Sequence, residues 1–176
     1  MHLQDVAATD TLGVALATAI EGSIDEVAER GLHIDLAGDL GAGKTALVRA
    51  LLHRLGVSGP IKSPTFALLE PYTVSSLDFY HFDFYRLTDA SEFEDAGFRE
   101  LFGPGCICAV EWPERAAGRL PTADISITLT VDGDARRASI CAGSELGQTC
   151  LKLAVPMMQT IDGGSSLPVS ARSFLP

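Results

Sequence analysis

Gly38-Asp39-Leu40-Gly41-Ala42-Gly43-Lys44-Thr45 matches the pattern G-x-x-x-x-G-K-[ST] at every fixed position. That spacing answers the needs of polyphosphate binding. Glycines let the backbone curl until successive N–H groups point inward at phosphate oxygens. A helix opening just behind them offers its positive end to the same anion. Lys44 brings a charge to the β- and γ-phosphates, and the Thr45 hydroxyl is a ligand for Mg²⁺. The binding stretch is read as Gly38 to Ala46, and it points to a nucleoside triphosphate.

Hydrolysis of a triphosphate also needs a carboxylate near Mg²⁺ and a group that positions the attacking water. Two acids stand at the ends of strand-like runs. Cys106-Ile107-Cys108-Ala109-Val110-Glu111 is an apolar strand ending in an acid, which puts a carboxylate at a sheet edge beside bound ligand. Asp83 follows the strand-like Leu77 to Phe82. Thr65, in Ser63-Pro64-Thr65, is either part of an ordinary Ser-Pro turn or a residue that senses the γ-phosphate. The chain has no asparagine, so the Asn-Lys-x-Asp guanine reader is absent and adenine is favoured by exclusion.

The elements that must hold these residues are legible in outline. Leu12, Leu16, Ala19, Ile20 and Val27 recur at loose helical spacing between Asp10 and Ala28, with a split at Gly22-Ser23. Leu32 to Leu36 alternates as a strand does. Thr45 to Leu55 carries a helical apolar stripe that stops at Gly56. Phe66 to Glu70, Leu77 to Phe82 and Cys106 to Val110 read as strands. Ile125 to Val131 and Arg137 to Cys141 form a pair around the turn Asp132-Gly133-Asp134. After about Gly143 the periodicity fades, and the stretch from Gly163-Gly164-Ser165-Ser166 to the C-terminus reads as a mobile end. The expected architecture is an α/β fold with a mixed sheet flanked by helices. It assigns residues 1–142 to a P-loop ATPase domain and 143–176 to a C-terminal tail whose structure the sequence leaves open.

Composition narrows the partners. A chain of 176 residues fits one domain, and 47% apolar with 20% charged residues fits a globular one. Thirteen basic against 23 acidic residues leave a net charge of −10. Such a surface repels a polyanion, so tight stand-alone nucleic-acid binding is disfavoured. No apolar run reaches the roughly 20 residues a membrane span needs, and Met1 to Asp5 lacks the start of a secretory signal. The expected location is the cytoplasm. Cys106, Cys108, Cys141 and Cys150 read as buried free thiols, because a C-x-C pair without a second close pair lacks zinc spacing. Arg136-Arg137 reads as a solvated strand edge.

Gly-Asp-Leu-Gly-Ala-Gly-Lys-Thr (38–45), Lys-Ser-Pro-Thr-Phe (62–66), His-Phe-Asp-Phe-Tyr-Arg (81–86) and Val-Glu-Trp-Pro (110–113) stand here in the order and spacing of the bacterial TsaE (YjeE) family, which the chain resembles. The resemblance covers roughly residues 10–140. It implies a small P-loop NTPase fold and an ATPase that supports threonylcarbamoyladenosine modification of tRNA at the adenosine 3′ of the anticodon. It also implies TsaB and TsaD as partners, with tRNA held by that complex. Carried over by motif, Lys44, Asp83 and Glu111 would be catalytic, and Thr45, Asp83 and Glu111 would serve Mg²⁺. Trp112 would sit at the nucleotide pocket, Thr65 in a switch-like loop, and Thr11 beside the base. His81 and Arg86 match the pattern, with packing and catalysis both open for His81. A small-molecule kinase shares the same phosphate loop and is the main rival, although no arginine-rich lid is visible. A module that holds nucleotide without turnover is the third reading.

Overall fold

The first helix begins where Asp5 accepts a hydrogen bond from the Ala8 N–H at 2.8 Å, ahead of the point where its apolar periodicity becomes legible. In the computed structural model, which describes residues 1–116 and 118–161 with the backbone of 170–171, this helix α1 spans Val6–Gly22. Ser23 breaks it from α2 (Ile24–Arg30), as the Gly22-Ser23 pair predicts. The other helices are α3 (Lys44–Arg54), the short α4 (Ser91–Asp95) and α5 (Glu145–Ile161). Single 3₁₀ turns cover Phe98–Leu101 and Pro113–Ala116.

The strands are β1 (His2–Leu3), β2 (Leu32–Ala37), β3 (Leu69–Val74), β4 (Leu77–Asp83), β5 (Cys106–Glu111), β6 (Ile125–Asp132), β7 (Ala135–Ala142) and β8 (Ser170–Ala171). They form one mixed sheet in the order β1-β7-β6-β2-β5-β4-β3, with β8 beside β7. β2 lies between β5 and β6 and runs parallel to both; β4 is parallel to β5. β3–β4 and β6–β7 are antiparallel hairpins, the second turning at Gly133-Asp134 as expected. This is the mixed, helix-flanked α/β sheet that the sequence predicts.

Strand parity sorts the residues into two layers. Ile34, Leu36, Phe79, Ile107 and Ala109 join the core beneath α1, α3 and α5. Phe82, Cys108 and Val110, one position out of phase, face an aromatic layer with Phe84 and Phe93. There Phe82 stacks on Phe102 at 5.5 Å and Phe84 meets Phe93 edge-on at 5.9 Å. Because side chains alternate with period 2, His81, Asp83 and Glu111 share parity with Phe79 and Ala109 and emerge on the helix side. α1 lies close on α3 because Gly13 has no side chain: a Cβ there would stand 2.6 Å from the Leu47 carbonyl oxygen and 2.8 Å from Ala50 Cβ.

Three expectations need correction. Phe66 to Leu68 is a turn, closed by Leu68 N–H donating to the Pro64 carbonyl at 2.7 Å, and the strand begins only at Leu69. Aromatic and aliphatic composition suits a strand only where a partner covers it, and Phe66 is 86% exposed. Beyond Gly143 the chain forms α5, which buries Leu146, Cys150, Leu151, Ala154 and Met158 against the main core. Pro156 and the small polar residues of that stretch hide a helix that tertiary burial stabilises. Cys106 and Cys141 are half-buried, whereas Cys108 and Cys150 are fully buried. Among the described residues no group of three or more His, Cys, Asp or Glu side chains is arranged to hold a metal, and no helix is long and apolar enough to cross a membrane. The mobile end expected from Gly163 onward lies outside the described residues, apart from the β8 backbone.

Candidate nucleotide site

The glycine loop joins the central strand β2 to the N-terminus of α3, the strand–loop–helix context that the motif requires. Its first residue must be glycine. Gly38 has φ 134°, and a Cβ there would meet the Leu129 carbonyl oxygen at 2.1 Å. Behind the loop lies a cavity of about 340 Å³, lined by Lys44, Thr45, Thr65, Asp83, Glu111 and Trp112 among others. Leu40, Gly41, Gly43 and Ala46 complete its lining on the loop side. Gly38 and Asp39 touch Lys44 through their carbonyls, and Ala42 is packed inside the core.

Lys44 is buried. Its Nζ donates to the carbonyls of Gly38 at 2.6 Å and Asp39 at 2.9 Å, and stands 4.0 Å from the centre of the Trp112 ring. Burial lowers its pKa below the usual lysine value, opposed by the nearby charges of Glu111 and Asp83. Trp112 reaches this place through a left-handed backbone, φ 59°, with its N–H bonded to the Leu36 carbonyl at 3.2 Å.

Thr45 Oγ1 donates to Glu111 Oε1 at 2.8 Å. The same oxygen lies 2.9 Å from His81 Nε2, and His81 is wholly buried. Asp83 is the register partner of Glu111 on the neighbouring parallel strand. Its Oδ2 accepts the hydroxyls of Ser63 and of Thr65, the latter at 2.8 Å, while Oδ1 accepts the Tyr85 N–H at 3.0 Å. Asp83 therefore holds the 63–65 loop against the sheet and has few lone pairs left over.

The expected residues thus converge with one exception. Thr11 bonds back to the Ala7 carbonyl and lines a separate cavity beside Thr160 and Ile161. The helix residue that approaches the loop is Thr9, whose Cγ2 would contact a Cβ placed on Gly43 at 3.7 Å. Arg86 lies 4.3 Å from the Phe66 ring at the edge of the 63–65 loop. Three further residues touch the loop machinery. Ser63 shares Asp83 with Thr65, Arg49 Nε holds the Ile61 carbonyl at 2.9 Å, and Arg136 donates to the Gly41 carbonyl at 3.3 Å. Ser63 was legible from its place beside Pro64-Thr65. Nothing in the spacing marked Arg49, or showed that Arg136 would leave the solvated edge for the loop.

A glycine-rich loop between a central parallel strand and a helix, answered by an acid at the end of the adjacent strand, defines a P-loop NTPase fold. YdiB from Bacillus subtilis, seen in a crystal structure, shares this fold with a TM-score of 0.58 and 25% identity, covering 85% of this chain and 90% of that one. The family described as threonylcarbamoyl adenosine biosynthesis protein TsaE matches residues 3–139, and the chain belongs to that TsaE family. Relatives named tRNA threonylcarbamoyladenosine biosynthesis protein TsaE are 42% identical over 123 residues in Haemophilus influenzae and 41% over 115 in Treponema pallidum. Those matches cover 70% of this chain and 78% of the first relative, and 65% and 84% for the second.

Proposed function

We propose that this chain is an ATPase that supports threonylcarbamoyladenosine modification of tRNA at the adenosine 3′ of the anticodon, in the cytoplasm, with TsaB and TsaD as partners. The observation that carries the reading is the Thr45–Glu111 hydrogen bond in the lining of the P-loop cavity. A hydroxyl has one proton and two lone pairs. With its proton given to Glu111, Thr45 keeps both lone pairs for a cation. Two buried carboxylates on adjacent strands, Asp83 and Glu111, add hard oxygen donors that suit Mg²⁺. Thr45 and Glu111 would hold the ion, with Asp83 beside it. Bound there, Mg²⁺ would neutralise charge on the β- and γ-phosphate oxygens.

Lys44 would exchange its carbonyl partners for phosphate oxygens, which supply the charge that its burial demands. The loop N–H groups would bind the remaining oxygens. Asp83, with Thr65 attached, would orient the attacking water. The acidic surface fits a protein that leaves tRNA to its partners.

The test is ATP hydrolysis by the chain alone and with TsaB and TsaD added. Weak turnover that rises with the partners supports the reading. Equal turnover with no association overturns the partner assignment, and phosphoryl transfer to a small acceptor overturns it in favour of a kinase.

A further inference from the structure

We propose that His81 is a positioning residue that fixes the Glu111 carboxylate for the divalent cation of the bound nucleotide; this rests on the ATPase reading above. A glutamate side chain turns about three bonds, so a buried one points where its hydrogen bonds direct it. Glu111 Oε1 receives two: the Thr45 hydroxyl from α3 at 2.8 Å and His81 Nε2 from β4 at 2.9 Å. The two donors come from different elements and meet on one oxygen, which leaves Oε2 for a cation or its water.

The ring itself carries the same message. A carboxylate only accepts, so Nε2 must carry the hydrogen that lies between them. Nδ1 has no partner among the described residues. His81 is 0% exposed and its register neighbours on β5 and β3 are Ala109 and Glu70. A residue needed only to fill this space would have no use for a ring nitrogen; a polar ring is kept there at the cost of an unpartnered Nδ1. Groups that orient a metal ligand from behind act on the affinity for the metal, typically about 10–100-fold.

Two variants separate the donor from the ring. His81→Phe keeps the ring and removes the donor; His81→Gln keeps a donor and removes the ring. Trp112, the chain's single tryptophan, lies against Lys44 and lines the cavity, so its fluorescence is the readout used for nucleotide binding. ATP is titrated first in a chelator, then at fixed ATP with rising Mg²⁺, and thermal melting confirms that each variant is folded.

The expected result for His81→Phe is a half-saturating Mg²⁺ concentration raised at least about tenfold, with metal-free ATP affinity within about twofold of the parent. His81→Gln is expected to stay within about threefold of the parent in both. An unchanged Mg²⁺ requirement in His81→Phe overturns the proposal, as does an equal loss of metal-free affinity, which marks a packing role. If His81→Phe fails to fold, His81→Gln decides alone: parent-like Mg²⁺ dependence supports the proposal and a tenfold loss overturns it. If the parent chain binds ATP with no Mg²⁺ dependence at all, the metal assignment of the ATPase reading falls and takes this inference with it. If the parent depends on Mg²⁺ and His81→Phe does not differ, only the inference falls.

Discussion

Thr45 and Glu111 tie the first turn of the P-loop helix to the end of β5 through one hydrogen bond of 2.8 Å. Glu111→Gln keeps the shape and removes the charge. The expected outcome is ATP hydrolysis reduced at least about a hundredfold, with nucleotide binding in the absence of metal retained. Steady-state hydrolysis beside a binding isotherm checks it; parent-level turnover would remove Glu111 from the chemistry.

Lys44→Met should abolish nucleotide binding without lowering the melting temperature of the free protein by more than about 3 °C. Burial pushes the Lys44 ammonium below its ordinary pKa, so its charge is a cost to the folded state at neutral pH. With the folded pKa the lower one, the unfolded chain binds the extra proton between the two values. Parent stability therefore rises with pH across that window. Any advantage of Lys44→Met at pH 7 should shrink as the pH climbs toward the ordinary lysine value, read by thermal melts at each pH.

Gly13→Ala should destabilise the protein by about 1–3 kcal/mol, although alanine is the better helix former. The added Cβ would press on the Leu47 carbonyl and on Ala50 Cβ and drive α1 from the P-loop helix. A chemical denaturation midpoint measures it, and a stabilised variant would show that the two helices have room to part.

The cavity beside the glycine loop was largely legible because its residues are local in sequence: the consecutive residues Gly38 to Thr45 specify the loop, and strand ends specify the acids that face it. What was not legible arises from distant packing. Periodicity over 145–161 is blurred by Thr149, Pro156 and Thr160, yet Leu146, Cys150, Leu151, Ala154 and Met158 fall on one face once α1 is beside them. Phe66 looks like a strand residue by type, but nothing in its neighbourhood pairs it. Arg136 reaches Gly41 only because the β6–β7 hairpin folds back along β2. Thr11 matched a family position, whereas the helix phase turns Thr9 to the loop instead.

The assignment of 143–176 to a tail has a direct test. Leu151→Ala is expected to cost about 2–5 kcal/mol, as for a buried leucine in any core, and a chain ending at Ala142 should not fold cooperatively. Unchanged melting of Leu151→Ala would show that α5 is dispensable.

Thiol labelling measures the packing independently. Burial raises the Cys108 thiol far above its usual range and pushes Cys150 up to about 11. In the folded protein at mildly alkaline pH a maleimide should label Cys141 and, more slowly, Cys106, leaving the other two until denaturant is added. Four equally fast thiols would contradict the buried placement of α5 and β5.

The place of β2 in the sheet has a consequence for how the protein is made. Its two neighbours are β5 and β6, both encoded far downstream, so the strand that carries the P-loop emerges from the ribosome with neither side paired. Non-local pairing of this kind is slow to form, and the loop cannot be held in its binding shape until Thr128 has been synthesised. On the ATPase reading, nucleotide binding would then be a late event in the life of each new molecule, one that waits for β5 and β6 to flank β2.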